Sequence, residues 1–440
     1  MIYNIDLHIH SPFSDATSPS ISFQSIADTA TRKGIHVMGT GDCFNPDWRV
    51  LISMLPVIDG IIMVDGIMFF PSVEVSCEKV GSRKKVHVLL VFEDMDEADL
   101  VRDQLLEYGD LLSGRPALDI GVKELTAVVR DTSPSALIII AHIMTPWTGL
   151  LGSRNYIDSI DDVYGIGDIP PDAIETGLSA DPPMLRSISE LDRFPLVSFS
   201  DAHSTPNIGR ELTIIETDRL DYGIMRENVI QGHIRTLEFY PQLGKYHYSG
   251  HRHCSYSVGP GGNIMCKRCN KRVILGVAWK IEEMRDRDMA NYKDGVGDCK
   301  FQYIIPLRTI IMTALHMDKK DRRITEIYNR ITASVMEIPF LTGYGWTEGV
   351  PEPVRDLAIN MRMGFIKVIP GYDGVFGEII DLYTDLGKIL WEINKRKVKK
   401  KEYGWIWDKM MEVDERLRGE DATIERVDYD RLMMEVKESG

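Results

Sequence analysis

The sequence predicts an α/β protein: a βα barrel over residues 1–240, a small metal-stapled insert over 241–275 and a mainly helical part over 276–440. Three observations predict it. Short apolar runs alternate with amphipathic stretches through the first 240 residues, which is the order of a βα repeat. His, Asp and Glu recur at the ends of those runs, where such barrels build their sites. A Cys/His cluster then breaks the pattern before helical periodicity takes over.

The strand candidates are 2–8, 35–42, 67–76, 85–92, 136–143, 172–177, 195–203, 212–217 and 235–240, with helical patterns such as "FQSIADTATRKG" and "DYGIMRENVIQG" between most of them. This alternation predicts a mostly parallel sheet closed into a barrel of about seven or eight strands. After residue 240, "GKYHYSGHRHCSYSVGPGGNIMCKRCNKRVILG" is rich in Gly, Tyr, His and Cys and lacks periodicity, so it reads as an insert held by a metal. Helical spacing returns in "VAWKIEEMRDRDMANY", "DRRITEIYNRITASVMEIPFLT", "PVRDLAINMR" and "VFGEIIDLYTDLGKILWEINKRK". One strand-turn element, "FIKVIPGYDGVFGE", interrupts them, and an amphipathic helical tail ends the chain.

The 440 residues are 44% hydrophobic and carry a net charge of -15, which argues against indiscriminate binding of polyanions. Positive charge is nonetheless clustered, in "HRHC", in "CKRCNKR" and in "KRKVKKK" at 395–401, any of which could also be an ordinary solvated face. Neither a membrane-spanning run nor a signal peptide is visible, and six cysteines, two of them in a CxxC, suit metal ligation in a reducing compartment. The expectation is a cytoplasmic protein without a membrane partner.

His8-x-His10 on an extended strand projects both imidazoles to one face, as gripping a single ion requires. Asp42, Glu74, His87, His142, Glu175, Asp201 and His203 follow on or at the ends of later strands, and Asp15 lies just past the first. Any one of these histidines could be a satisfied core residue, but so many polar groups on apolar strands are not satisfied cheaply without ions. Nitrogen ligands beside carboxylates favour zinc, manganese or iron over calcium or magnesium.

In the insert, His251, Cys254, Cys266 and Cys269 spell H-x2-C-x11-C-x2-C, the paired-knuckle spacing of a tetrahedral structural zinc site. His247 and His253 compete for the fourth position, and His251 is preferred because it repeats the two-residue spacing. Cys43, Cys77 and Cys299 read as isolated thiols. Arg252, Lys267, Arg268, Lys271 and Arg272 on the insert are candidate DNA-phosphate contacts, and Arg210 is a further candidate phosphate ligand or a salt-bridged arginine. Tyr372 and Asp373 in "PGYDG", with Tyr344 or Trp346 in "TGYGWTEG", are candidates for contacting a base, although a tight turn with a packed tyrosine explains PGYDG equally well.

Taken in order, HxH at 8 and 10, SDA at 14–16, TGD at 40–42, EVS at 74–76, HVLLV at 87–91, AH at 141–142 and SDAH at 200–203 resemble the polymerase and histidinol phosphatase (PHP) family. That resemblance implies a PHP-type distorted (βα)7 barrel with two or three divalent ions, drawn from zinc, manganese, iron or magnesium. It implies a first ion on His8, His10, Glu74 and Asp201, and a second shared through Glu74 with His87 and His142. A third would fall to Asp15, Asp42 and His203. Where many members follow a TD pair with histidine, this chain has Asp42 in TGD. The implied chemistry is phosphoester hydrolysis by metal-activated water, with His8, His10, Glu74, His142, Asp201 and His203 as the catalytic set.

With the knuckle, the helical part and "IPGYDGVFGEI" included, residues 1 to about 395 resemble the endonuclease Q family of archaeal-type repair enzymes. The resemblance implies nicking of double- or single-stranded DNA 5′ to uracil, hypoxanthine, xanthine or an abasic site, with the damaged nucleotide extruded. The knuckle of that family is usually all-cysteine, so His251 is a ligand swap. A sliding clamp is a further partner of interest, for which the chain shows no convincing motif. Two other functions stay open: a PHP phosphatase for a small phosphomonoester, which needs neither knuckle nor helical part, and a non-catalytic nucleic-acid-binding protein with a dead barrel.

Overall fold

Pairing of the apolar runs gives two mixed sheets rather than one parallel ring. The computed structural model describes residues 1–440 except 80, 83, 166–168, 290–299, 344–348, 363, 365 and 381–440. Cys299, Tyr344, Trp346, the 395–401 basic run and the tail therefore lie outside the described residues. In chain order the barrel region holds β1 (Ile2–Asp6), α1 (Phe23–Lys33), β2 (Val37–Gly39), α2 (Pro46–Ser53), β3 (Val57–Ile58), β4 (Ile61–Val64), β5 (Ile67–Phe70), β6 (Ser72–Cys77) and β7 (Val86–Val91). It continues with α3 (Met95–Leu105), β8 (Ala117–Leu118), α4 (Val122–Thr132), β9 (Leu137–Ile140), α5 (Asp161–Tyr164), β10 (Ala173–Glu175), α6 (Pro182–Arg186), β11 (Leu196–Val197), β12 (Leu212–Glu216), α7 (Tyr222–Gln231) and β13 (Arg235–Phe239). After it come β14 (Ser249–His251), β15 (Tyr256–Val258), α8 (Val277–Met284), β16 (Lys300–Ile304), α9 (Leu307–Ala314), α10 (Arg322–Thr332), α11 (Glu337–Thr342) and α12 (Glu352–Arg362).

One sheet runs β16-β13-β12-β1-β2-β5-β4-β3 and the other β11-β10-β9-β7-β6-β8. Ile5, Val37 and Phe70 from the first meet Leu89, Ile139 and Val197 from the second in one core. The single strand expected over 67–76 is two, because Pro71 has no N–H to continue a ladder and the chain there passes from one sheet to the other. β6 and β7 pair antiparallel, since the link at 78–85 is too short for the crossover that parallel pairing needs. β1 with β12 and β7 with β9 are antiparallel as well, so the expectation of a mostly parallel sheet gives way to a distorted, mixed barrel.

Strand β16 was not expected: Lys300–Ile304 is only five residues long, yet it pairs in parallel with β13 and adds the C-terminal part to the first sheet. The helices there follow their apolar spacing, as in α10, whose buried Ile324, Tyr328 and Ile331 recur at helical intervals. Residues 366–369 and 379–380 belong to a separate unit, which contributes β17 (Lys367–Ile369) and the end of β18 (Glu378–Ile380). Among the described residues no helix is long and apolar enough to cross a membrane.

A buried ion pair fastens α11 to the barrel. Lys33 Nζ lies 3.4 Å from the Glu337 carboxylate, each side chain 3% exposed, and donates to the Pro206 carbonyl. Glu337 also accepts from the Leu307 N–H and the Tyr328 hydroxyl. Removing one partner strands a buried charge. Lys33→Met should therefore cost about 3–5 kcal/mol in urea unfolding, with the double change Lys33→Met/Glu337→Leu recovering most of it.

Within the barrel Glu211 and Glu238 are fully buried, and Ser198 donates to both while Thr176 donates to Glu238. Burial pushes Glu238 up to about 8, and burial together with the Glu238 charge pushes Glu211 up too. An unfolded glutamate titrates near about 4.3, so between that pH and about 8 the native state holds the extra proton and stability falls as pH rises. Glu238→Gln should flatten that slope in unfolding curves taken from pH 5 to 8.

Candidate metal centre

His8 and His10 lie just past β1, and Asp201 and His203 just past β11. A parallel bridge at Ile9 and Ala202 joins the two segments, with His10 N to Ala202 O at 3.0 Å and Ala202 N to His8 O at 3.3 Å. Side chains on either side of a bridge alternate, so this register presents both motifs to one face. Buried Asp6 at the end of β1 supports it by accepting from the Ser200 and Gly209 N–H groups. Arg210 donates to the Ser200 and Asp201 carbonyls, so its guanidinium holds that loop rather than facing solvent.

Two donor groups result, His8 with His10 and Asp201, and Glu74 with His87 and His142; in each, the ligand atoms lie within 4.8 Å of one another. Glu74 joins them. Its oxygens lie 2.7 Å from His87 Nδ1, 3.0 Å from His142 Nε2, 3.4 Å from His10 Nε2 and 3.6 Å from His8 Nε2. Burial opposes charge on Glu74, yet His87 and His8 hold it well below the usual carboxylate range, and His10 is drawn well above the usual imidazole range, against burial, by Asp201, Asp42 and Glu74. His8 Nε2 and His142 Nδ1 are buried without a hydrogen-bond partner, a cost that a coordinated cation would relieve. Two imidazole clusters around shared carboxylates suit divalent ions of the zinc and manganese type.

Glu175 and Asp42 stand behind the cage. Glu175 meets His8 Nδ1 at 3.0 Å and accepts the His142 N–H, and Asp42 meets His10 Nδ1 at 3.2 Å while accepting from Ser11 and Ser14. Each carboxylate fixes an imidazole so that its Nε2 points at the cage. Asp42, His142 and Asp201 all have positive φ, at 48°, 29° and 46°, strain of the sort that folded structures keep at working sites. His203 packs 4.4 Å from the His10 ring. Asp15 is exposed and belongs to none of the donor groups found among the described residues, so the expected third set of Asp15, Asp42 and His203 is not brought together.

Sequence reasoning missed Arg115. Its Nη1 donates to Glu74 Oε2 at 3.1 Å from a loop anchored by the Gly114 N–H on Phe13 O and the Ser76 N–H on Pro116 O. Nothing in "SGRPALD" has the periodicity or spacing that would have marked it.

The insert gathers His251, Cys254, Cys266 and Cys269 with ligand atoms within 4.8 Å of one another. His247 is instead buried against Tyr248, and His253 is exposed. Burial works against the Cys266 thiolate, but the His251 contact and the N–H groups of Arg268 and Cys269 bring it down to about 6. Arg252, Lys267, Arg268, Lys271 and Arg272 are all exposed around this knuckle. Tyr372 and Asp373 open an Asp-Gly hairpin turn with φ of 42° and 86° at Asp373 and Gly374; the Tyr372 ring covers Gly250, and Asp373 accepts the Arg252 N–H. Both residues join turn to knuckle.

The crystal structure of the lesion-specific endonuclease PfuEndoQ from Pyrococcus furiosus superposes with a TM-score of 0.76 and 29% identity, covering 86% of this chain and 95% of that one. The chain has the endonuclease Q fold. Endonuclease Q in complex with a 27-mer duplex bearing an abasic lesion at the active site matches equally well, at 0.76 and 29%, over 86% of this chain and 96% of that one. Bacillus subtilis YqxK is 27% identical over 375 residues, 80% of this chain and 91% of its own. MJ0043 of Methanocaldococcus jannaschii is 30% identical over 167 residues, 38% of this chain but only 19% of that much longer protein. No protein-family profile matches.

Cys266→Ser should remove one equivalent of tightly held divalent metal and open residues 251–272 to protease, because a site of this type contributes on the order of 10 kcal/mol to a segment with little core of its own. Metal analysis with limited proteolysis checks it, and the barrel donor groups should keep their metal.

Proposed function

We propose that the chain is a metal-dependent DNA repair endonuclease that hydrolyses the phosphodiester 5′ to a deaminated base (uracil, hypoxanthine or xanthine) or an abasic site, and that it acts in the cytoplasm. The observation that carries this reading is the pair of donor groups joined through Glu74, set in a chain 86% of which superposes on a lesion-specific endonuclease. His8, His10 and Asp201 would hold one ion and Glu74, His87 and His142 the other. Bound there, divalent ions supply Lewis acidity toward the phosphoryl group and bring the pKa of water to roughly 7.

The chain's own residues do the rest. Glu175 and Asp42 keep His8 and His10 in the tautomer that leaves Nε2 free for a cation. Arg115, 27% exposed at its side chain, has N–H groups beyond the one on Glu74 and offers them to a non-bridging phosphate oxygen. The exposed cations of the knuckle hold DNA by its backbone, which positions without specifying.

The test is a nicking assay on end-labelled duplexes carrying uracil, hypoxanthine, an abasic site or no damage, with manganese, magnesium or zinc. A cut 5′ to the damage is expected, slowed at least about a hundredfold by Asp201→Ala. Intact duplexes under every metal, with release of phosphate from p-nitrophenyl phosphate, would replace this reading with a small-molecule phosphatase.

A further inference from the structure

Asn4 on β1 pairs with Ile214 on β12, Ile214 with Arg235 on β13, and Arg235 with Lys300 on β16. Partners in register point to the same side of a sheet, so these four side chains form one row, on the face turned away from the core that holds Ile5 and Ile215. α11 covers the row. At its edge Gly34, with φ of 79°, lets the helix come close, since a Cβ there would stand 3.3 Å from the Met336 sulfur and the Pro339 ring. Row and helix enclose a cavity of about 380 Å³, which Gln302, His36, Met336, Ile338 and Pro339 also line. It opens at the start of β1, whereas His8 and His10 follow the end of that strand, so it is no part of the metal centre.

The lining is one-sided in charge. Arg235 and Lys300 stand side by side on neighbouring strands, where like charges repel and an anion between them would relieve the cost. Among the described residues the Arg235 guanidinium and the Gln302 amide make no hydrogen bond or ion pair, and no carboxylate lines the cavity. Glu337 on α11 turns instead to Lys33. His36 Nδ1 accepts the Asn4 N–H at 3.0 Å, which puts the ring proton on Nε2 as a further donor. Cations on the floor, an amide beside them and apolar side chains above are the parts of a small-molecule site, and the volume falls within the usual range of about 300–1,000 Å³.

We propose that this cavity binds a small phosphorylated molecule with a planar heterocyclic body, of the nucleoside monophosphate class. Arg235 and Lys300 take the phosphate, Arg235 through paired N–H groups. The Gln302 amide and the His36 Nε2–H meet the polar edge of the ring, and Met336, Ile338 and Pro339 cover its face. Because the ligand touches β13, β16 and α11 together, it holds the helical part against the barrel and stabilises the folded chain when bound. The site does not depend on DNA being the substrate of the metal centre.

Isothermal titration calorimetry on the full chain tests it, with adenosine monophosphate, inorganic phosphate and adenosine as probes. The chain carries Asp201→Ala, so that phosphate has no complete metal centre to bind. Adenosine monophosphate should bind with a Kd below about 1 mM and raise the thermal midpoint, and phosphate or adenosine should bind at least about tenfold more weakly. Adding Arg235→Gln should weaken adenosine monophosphate at least about tenfold. Thr342→Trp, at a residue that lines the cavity, fills it without removing a charge and should do the same. Each variant should keep its parent's thermal midpoint in the absence of probe. No binding of adenosine monophosphate up to about 1 mM, binding that survives Arg235→Gln, or phosphate binding as tightly as the nucleotide overturns the proposal. None of these results bears on the endonuclease reading, which the nicking assay tests by itself.

Discussion

The site depends on one buried carboxylate. Glu74 is 2% exposed and faces four imidazoles and a guanidinium. An isolated charge at that depth would protonate rather than persist, so its environment has to supply the compensation. Four different segments do so: the end of β1 with His8 and His10, β7 with His87, the loop after β9 with His142 and the loop before β8 with Arg115. The antiparallel pairing of β6 with β7 and of β7 with β9 is what brings Glu74, His87 and His142 together, because β7 lies between the other two strands. The distortion of the barrel and the assembly of the cage are therefore one feature.

Around this centre the scaffold holds ligands through their partners. Glu175 restrains His8 through Nδ1 and His142 through its N–H, Asp42 restrains His10, and Asp6 with Arg210 restrains the loop bearing Asp201. Such fixation carries a cost in backbone strain at Asp42, His142 and Asp201, which the surrounding hydrogen bonds offset. The knuckle follows the same logic with a different donor chemistry. Its four ligands span residues 251–269, a segment with few buried side chains, so coordination takes the place of a core.

Much of this was legible in the sequence because donor groups on extended segments leave a periodic trace. His8 and His10, like Asp201 and His203, are spaced by two because side chains alternate, and the cysteines are spaced by the turn of a knuckle. Strand order was less legible: the apolar run at 67–76 reads as one strand, and only the missing N–H of Pro71 hints that the chain changes sheets there. β16 escaped notice because its pairing with β13 is non-local and its five residues carry a weak pattern. Asp15 sits beside conspicuous ligands in sequence, but the turn at Ser14–Thr17 leaves it exposed, since adjacency in a loop does not fix direction.

Arg115 is the residue that most constrains what the cage accepts. A guanidinium beside a cation site repels the ions that the histidines and carboxylates attract, so by itself it weakens metal binding. It is nonetheless held in place by backbone hydrogen bonds on either side, and one of its nitrogens touches the carboxylate that both donor groups share. Its ion pair with Glu74, at 3.1 Å, competes with any cation for that carboxylate. A planar guanidinium can meet two oxygens of a phosphodiester at once. On the proposed endonuclease reading, the cation that looks misplaced in a metal site is the group that meets the phosphate.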